Sequence, residues 1–386
     1  MQALDSYDGA RVAEWRRHLH SIPEPGFAEV KTSAFVAARL KEMGMEVHSG
    51  VGQTGVVGVL RRGSGNRAIG LRADMDALRI REQTGLPHRS IHDGYMHACG
   101  HDGHTAMLLG AAWRLATEGG FSGTVVLIFQ PNEEHGRGAS AMVHDGLFER
   151  FPVEEIYGIH NAPGLPLGHL ATRSGPINAA EDNFVIKVNG KGGHAARPQS
   201  ANDPMIVAAN IILSLQTIVS RRVSAKENAV LSVTEVVADG TRNVLADSVE
   251  IRGDARSYTR EVQDLIEREM RQISQGIAQA FGATVDVQYS HEFAPTINHQ
   301  MQTAFALNAA ATAFGAASVS DDYGPNMGSE DFGLFLSHRP GNFAYLGNGA
   351  EGPCGEPLHN PRYDFNDKAI EHGVSYWTTL VRQRLG

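Results

Sequence analysis

The sequence predicts an α/β protein whose main sheet domain is interrupted by a smaller ferredoxin-like α+β module. Three observations carry that reading. Short, continuous apolar runs alternate with helical periodicity in the N-terminal part of the chain, the pattern of a mostly parallel sheet covered on both faces. Near residue 182 the order changes to β-α-β-β-α-β, the order of a ferredoxin-like unit. Beyond residue 295 the α/β alternation resumes, so the module is inserted rather than appended.

Element by element, Val30, Ala34, Ala37, Leu40 and Met43 form a helical stripe that stops at Gly44, a residue suited to a helix C′ position. Strands are expected at 56–60, 68–72, 124–129 and 155–160, with helices at 105–116 and 138–148. In the insert, strands are expected at 183–189, 229–237, 247–257 and 284–290, and helices at 203–220 and 260–281. A helix at 301–314, a strand at 342–346 and a terminal helix at 367–384 complete the chain. In an open sheet of this kind ligands collect at the carboxyl ends of strands, where Asp74, Glu133 and His160 fall.

Composition narrows the function. The 386 residues include two cysteines, Cys99 and Cys354, too few for a disulfide framework, so nothing demands an oxidising compartment. No basic-then-apolar leader precedes Ala10 and no run of 18 apolar residues occurs, so a cytoplasmic protein without a membrane partner is expected. A net charge of −9 argues against a nucleic-acid partner. Histidine is the anomaly: 18 are present against nine tyrosines, and five fall between His88 and His104.

That cluster contains His97-Ala-Cys99-Gly-His101-Asp-Gly-His104. A thiolate and an imidazole two residues apart on a glycine-containing turn can converge on one borderline-soft metal ion. The plainer alternative is a helix start capped by Asp102 or Thr105. A Cys99–His101 nucleophile pair is disfavoured, because nearby carboxylates oppose thiolate formation unless a cation is present. In Leu71-Arg-Ala-Asp74-Met-Asp76-Ala-Leu78 one acid can buttress a ligand histidine, or both simply cap a strand end. Phe129-Gln-Pro-Asn-Glu133-Glu134 places adjacent carboxylates after an apolar strand. Held together, they need a cation, and one can bind metal while the other handles a proton; exposed, they are surface charge.

His160, in Gly158-Ile-His160-Asn-Ala-Pro163, and His359, in Pro357-Leu-His359-Asn-Pro361, are each a ligand or a hydrogen-bonded structural histidine. Gly190-Lys-Gly-Gly-His194-Ala-Ala-Arg-Pro198 allows close backbone approach to a ligand but lacks Walker spacing; a flexible surface loop is its alternative. Gly328-Ser-Glu-Asp-Phe332 opens a helix. Together Cys99, His101, Glu134, His160 and His359 supply sulfur, nitrogen and oxygen donors enough for two adjacent ions if one residue bridges. His97 and His104 are read as framing the metal turn.

In combination, the His97–His104, Leu71–Leu78 and Gly190–Ala195 motifs resemble the M20 metallopeptidases. The resemblance is closest to the amidohydrolase branch of hippurate hydrolases, N-acyl-amino-acid amidohydrolases and auxin-conjugate hydrolases. It runs from Arg16-Arg-His-Leu-His20 and Pro23-Glu24 to beyond His359. It implies a zinc-exopeptidase-like, three-layer α/β/α catalytic domain, residues 1–181 and 296–386, interrupted by a lid at 182–295 that pairs subunits into a homodimer or homotetramer. It also implies two divalent metal ions per subunit (zinc, manganese, cobalt or nickel), bound by bridging Cys99 with His101, Glu134, His160 and His359. Glu133 matches the general base and Asp76 the acid that orients a ligand histidine. On the lid, His194 matches a histidine that polarises the substrate carbonyl, and Asn243, in Gly240-Thr-Arg-Asn243-Val244, an asparagine near the substrate.

The implied activity is hydrolysis of the amide bond of N-acyl amino acids, hippurate-like or N-acetylated, with a dipeptidase or carboxypeptidase as the alternative using the same site. A non-catalytic dimeric metal-binding module is a remoter reading that leaves Glu133 without a task. Two positions depart from the family pattern: Arg79 stands where proline is usual and Asn132 where a small residue is common. Arg79 bears on the pocket mouth, hence on substrate choice rather than on chemistry.

Overall fold

The computed structural model describes residues 5–386. The chain divides into two compact units. The first comprises the described residues up to Ile177 with Ile297–Gly324 and Asp331–Gly386; the second comprises Asn178–Thr296 with Pro325–Glu330.

In the first unit, the strand Gly123–Gln130 shows why three layers form. Its residues are buried on both faces, so its side chains alternate between two cores: Val125, Leu127 and Phe129 enter one, Val126 and Ile128 the other. Helices Gly9–Ser21, Val30–Glu42, His101–Glu118, Gln300–Phe314 and Ala369–Leu385 supply apolar residues to the first core. Shorter helices Gly138–His144, Leu147–Arg150 and Phe332–His338 cover the other face. Fully burying residues the size of Trp377 and Leu127 stabilises by roughly 2–3 kcal/mol each.

The eight-stranded sheet has the order 46–51, 55–62, 123–130, 68–74, 155–163, 341–349, 170–171, 319–320. Gly123–Gln130, Ala68–Asp74, Glu155–Pro163 and Gly341–Gly349 run parallel at its centre. Gly55–Arg62 is antiparallel to both its neighbours, and Leu170–Ala171 is antiparallel to Gly341–Gly349. The sheet is therefore mixed, with a parallel centre and antiparallel pairings on either side of it, a distinction that periodicity cannot make because it reports burial on two faces and carries no strand direction. The expected helix at 138–148 is broken at Gly146, whose φ of +77° a continuing helix does not allow. Helix Gly9–Ser21, started by Asp8 accepting from the Ala10 N–H, and strand Glu46–Val51 escaped the pattern reading.

The second unit has the antiparallel order 229–238, 248–257, 180–189, 284–293, the arrangement of a ferredoxin-like sheet. Inward residues such as Phe184, Ile186 and Val188 pack with Val207 and Ile211 of helix Pro204–Thr217 and with Ile266 and Met270 of helix Arg260–Ala280. Asp203 and Thr259 cap these helices through the Met205 and Val262 N–H groups, which fixes where each begins. The stretch Pro204–Arg222 has the length and apolarity of a membrane span by composition alone, but its Val207, Ala208, Ile211 and Leu215 are buried within this core.

Candidate metal centre

The parallel strands end close together, and the site is built at those ends in the first unit. Strand Ala68–Asp74 delivers Asp74 and then Asp76, strand Gly123–Gln130 leads into Glu133 and Glu134, and strand Glu155–Pro163 carries His160. Helix His101–Glu118 starts at Gly100, with φ +90°, so that Cys99 and His101 flank its first turn. A Cβ on Gly100 would come within 2.4 Å of Asn161 Oδ1 and 2.7 Å of the Tyr363 hydroxyl, so the turn requires glycine. His359 adopts φ +65° in its proline-braced loop and donates its N–H to Ala98 O at 2.9 Å, which brings it beside Cys99.

These side chains meet in groups whose ligand atoms all lie within 4.8 Å of one another. Cys99, His101 and His160 form one; Cys99, Glu134 and His359 form another; Cys99 belongs to both. A third joins His101 to Glu133 and Glu134. Cys99 Sγ lies 3.4 Å from His160 Nε2, and His359 Nε2 lies 3.4 Å from Glu134 Oε2. His160 turns its Nδ1 to the Asn161 carbonyl at 2.7 Å, leaving Nε2 towards the cluster.

Asp76 organises three of these groups. Its carboxylate accepts the Glu133 N–H at 3.0 Å and the Glu134 N–H at 3.1 Å, and lies 3.3 Å from His101 Nδ1. The capping alternative is not met: neither Asp102 nor Thr105 caps the helix start. Thr105 donates to the Asp74 carbonyl, and Asp102 faces Arg16 Nε and His20 Nδ1 at 2.8 Å each. Arg16 is fully buried and also reaches Asp364 at 2.7 Å, so the Arg16–His20 motif ties the first helix to the metal turn and to the C-terminal loop.

Electrostatics fit a cation here. Burial alone would lower the His101 pKa, yet Asp74, Asp76 and Glu134 raise it to about 10: the pocket is strongly negative. Burial, followed by Glu134, Glu133 and Asp74, pushes the Cys99 thiol well up, which opposes a free thiolate nucleophile. Among the described residues, Nε2 of His101 and Oε1 of Glu134 are buried without a hydrogen-bond partner, a costly state that a bound divalent ion relieves. The sulfur, imidazole and carboxylate donor set suits such an ion.

Asn132 adopts φ +48°, a left-handed conformation that asparagine tolerates, and donates its N–H to Glu29 Oε1 at 2.8 Å. Glu29, buried and also bonded to Thr54, supports the Glu133–Glu134 turn. Sequence reading missed it, since a single acid before a helix carries no pattern. His194 and Asn243 belong to the second unit and neighbour each other there. Gly193–His194 pairs with Val244–Leu245, and the Ala195 N–H donates to the Asn243 carbonyl. His194 is exposed and accepts the Ala196 N–H at Nδ1, which leaves Nε2 available.

The family model described as peptidase family M20/M25/M40 matches residues 70–383. A hippurate hydrolase of Campylobacter jejuni is 40% identical over 370 residues, covering 96% of this chain and 95% of that one. An N-acetyl-L-cysteine deacetylase of Bacillus subtilis is 38% identical over 356 residues, 92% of this chain and 83% of that one. The crystal structure of the Bacillus subtilis YXEP protein, described as a dinuclear metal binding peptidase from the M20 family, superposes with a TM-score of 0.85 at 32% identity. It spans 98% of both chains.

Proposed function

Because the chain belongs to peptidase family M20/M25/M40, whose members are metal-dependent amidohydrolases and peptidases, we propose that it hydrolyses the amide bond of N-acyl amino acids. The observation that carries this reading is the pair of donor groups sharing Cys99, with Glu133 beside them on the same Asp76-anchored turn. Cys99, His101 and His160 would hold one divalent ion and Cys99, Glu134 and His359 the other. When bound, the ions supply Lewis-acid polarisation of water and of the amide carbonyl. Thiolate favours zinc, while imidazole and carboxylate also suit manganese, cobalt and nickel.

The chain's own groups then move the protons. Asp76 holds His101 by its Nδ1 and fixes the Glu133 and Glu134 backbone. The Glu133 carboxylate takes a proton from the attacking water as the water oxygen bonds to the amide carbon. The C–N bond breaks as Glu133 returns that proton to the leaving nitrogen, giving a carboxylic acid and a free amine. This reading gives His194, of its own or of a partner subunit, the hydrogen bond to the carbonyl oxygen as negative charge develops on it, and gives Asn243 a place near the substrate.

A lid-mediated homodimer is part of this reading. Exposed Val230, Val236 and Val237 on the edge strand Ala229–Ala238, and Met205, Ile206 and Leu213 on helix Pro204–Thr217, support it. A reducing, cytoplasmic setting suits its two free cysteines.

The test is a panel of hippurate, N-acetyl amino acids and free dipeptides, offered to metal-stripped protein reconstituted with zinc, manganese, cobalt or nickel in turn. Acyl amino acids should be the better substrates with at least one metal. Preference for dipeptides would establish the peptidase alternative, and metal uptake without turnover on any substrate would leave only a binding module.

A further inference from the structure

Behind the proposed ligands lies a buried set of polar groups that the chemistry above does not use, and His104 is its centre. It sits in the first turn of helix His101–Glu118 and is 1% exposed. Its Nδ1 donates to Asp74 Oδ1 at 2.6 Å, and Arg72 holds the other oxygen of that acid at 2.8 Å. On the opposite side, its Nε2 lies 3.0 Å from the main-chain nitrogen and 2.6 Å from the side-chain Oδ1 of Asn161. The Asn161 side-chain amide reaches the Tyr363 hydroxyl at 2.5 Å.

Asp74, His101 and His104 are close enough to suggest another ion site. The partners argue against that: Asp74 is already paired with Arg72, and both ring nitrogens of His104 are engaged. The consequence instead runs through Asn161, whose main-chain carbonyl accepts the Nδ1–H of His160 at 2.7 Å. Such a bond on the far nitrogen of a ligand histidine decides which nitrogen faces the ion and at what angle. The rings of His104 and His160 also touch, with centroids 4.5 Å apart.

We propose that His104 is a positioning residue: pinned between Asp74 and Asn161, it fixes the Asn161 carbonyl and so aims His160 Nε2 at the Cys99–His101–His160 ion. The inference rests on reading those three residues as ligands. It requires that His104 act on one ion of the pair rather than on both, and that it act from its Nε2 side.

The two sides can be separated. Asparagine at this position places its amide near the former Nδ1 and keeps Asp74; glutamine reaches the Nε2 position and keeps Asn161. The experiment is equilibrium dialysis of the metal-stripped protein against cobalt(II) alone, with folding followed by circular dichroism. Wild type should bind two ions and His160→Ala one. His104→Asn should keep one ion at wild-type affinity and bind the second roughly 10–100-fold more weakly, the usual cost of losing an outer-shell partner. His104→Gln should bind both nearly as wild type does.

Wild-type binding of both ions by His104→Asn would overturn the proposal, as would equal weakening of both ions in the two His104 variants. If His104→Asn does not fold, His104→Gln decides: retention of both ions supports the proposal and loss of one overturns it. Two ions retained by His160→Ala would instead refute the ligand assignment, and the proposal with it.

Discussion

Glu133 and Glu134 are neighbours in sequence with the same charge, yet their surroundings assign them different work. Glu134 faces Cys99 and His359 as a donor, whereas Glu133 is the proposed base. Glu133→Gln keeps the shape and removes the proton acceptor. Turnover should fall by about 10²–10⁴ while metal content by elemental analysis stays at the wild-type level. Glu29 gives a second prediction at this scale. Burial raises its pKa to about 7, opposed by the Thr54 hydrogen bond and reinforced by the Asp76 charge. Between its ordinary value of 4.5 and about 7 the folded chain holds a proton that the unfolded chain has released. Stability from this group is complete below the unfolded value and is lost as pH rises through 7, by at most about 3 kcal/mol. Glu29→Gln should remove that loss, so its melting temperature relative to wild type should rise between about pH 5 and about pH 8. At the residue scale, the ligand candidates were legible because cysteine, histidine and acid side chains gather in short motifs: Cys99 and His101 two positions apart, Glu134 and His160 after or at the end of apolar strands, and His359 between prolines. Glu29 and Asn161 were given no role and Arg16 only marked where the resemblance begins, since single polar residues gain their roles only from partners distant in sequence.

The elements hold these residues to position through a few sites that tolerate no side chain. Gly100→Ala tests one of these, because it adds a Cβ at φ +90° against Asn161 and Tyr363. We expect a loss of more than about 1 kcal/mol in denaturant unfolding, with weakened metal binding, because the Cys99–His101 turn must move. Leu127→Ala, in the middle of a fully buried strand, should cost about 2–5 kcal/mol with an unchanged denaturant m-value, since it opens a cavity without altering the fold. Periodicity located most elements to within a few residues, because alternation and the helical repeat record which face is buried. It missed helix Gly9–Ser21, whose buried residues include Arg16 and His20 as well as Val12 and Leu19, so that its inner face does not read as apolar. Strand direction was equally invisible: Gly55–Arg62 and Gly123–Gln130 are both apolar runs, yet they pair antiparallel.

For the whole molecule, the exposed valines on the edge strand Ala229–Ala238 give the prediction that belongs to this scale. As a test of the proposed lid-mediated dimer, Val236→Lys should shift sedimentation towards the monomer while the melting profile of the chain changes little, because Val236 is 47% exposed and lies outside the core of the second unit. By itself the sequence determined the α/β class, the inserted β-α-β-β-α-β module and the residue types at the metal centre. Those follow from burial periodicity and from the scarcity of chemistry that mixed sulfur, imidazole and carboxylate donors can perform. Only the tertiary structure decided which donors share Cys99, that Asp76 clasps the Glu133–Glu134 turn, and that Asp102 serves Arg16 and His20 rather than a cap. The physical reason is distance: hydrogen bonds and coordination act over about 3 Å in space. The partners, such as Arg16 and Asp364, stand hundreds of positions apart along the chain, where no local pattern can pair them.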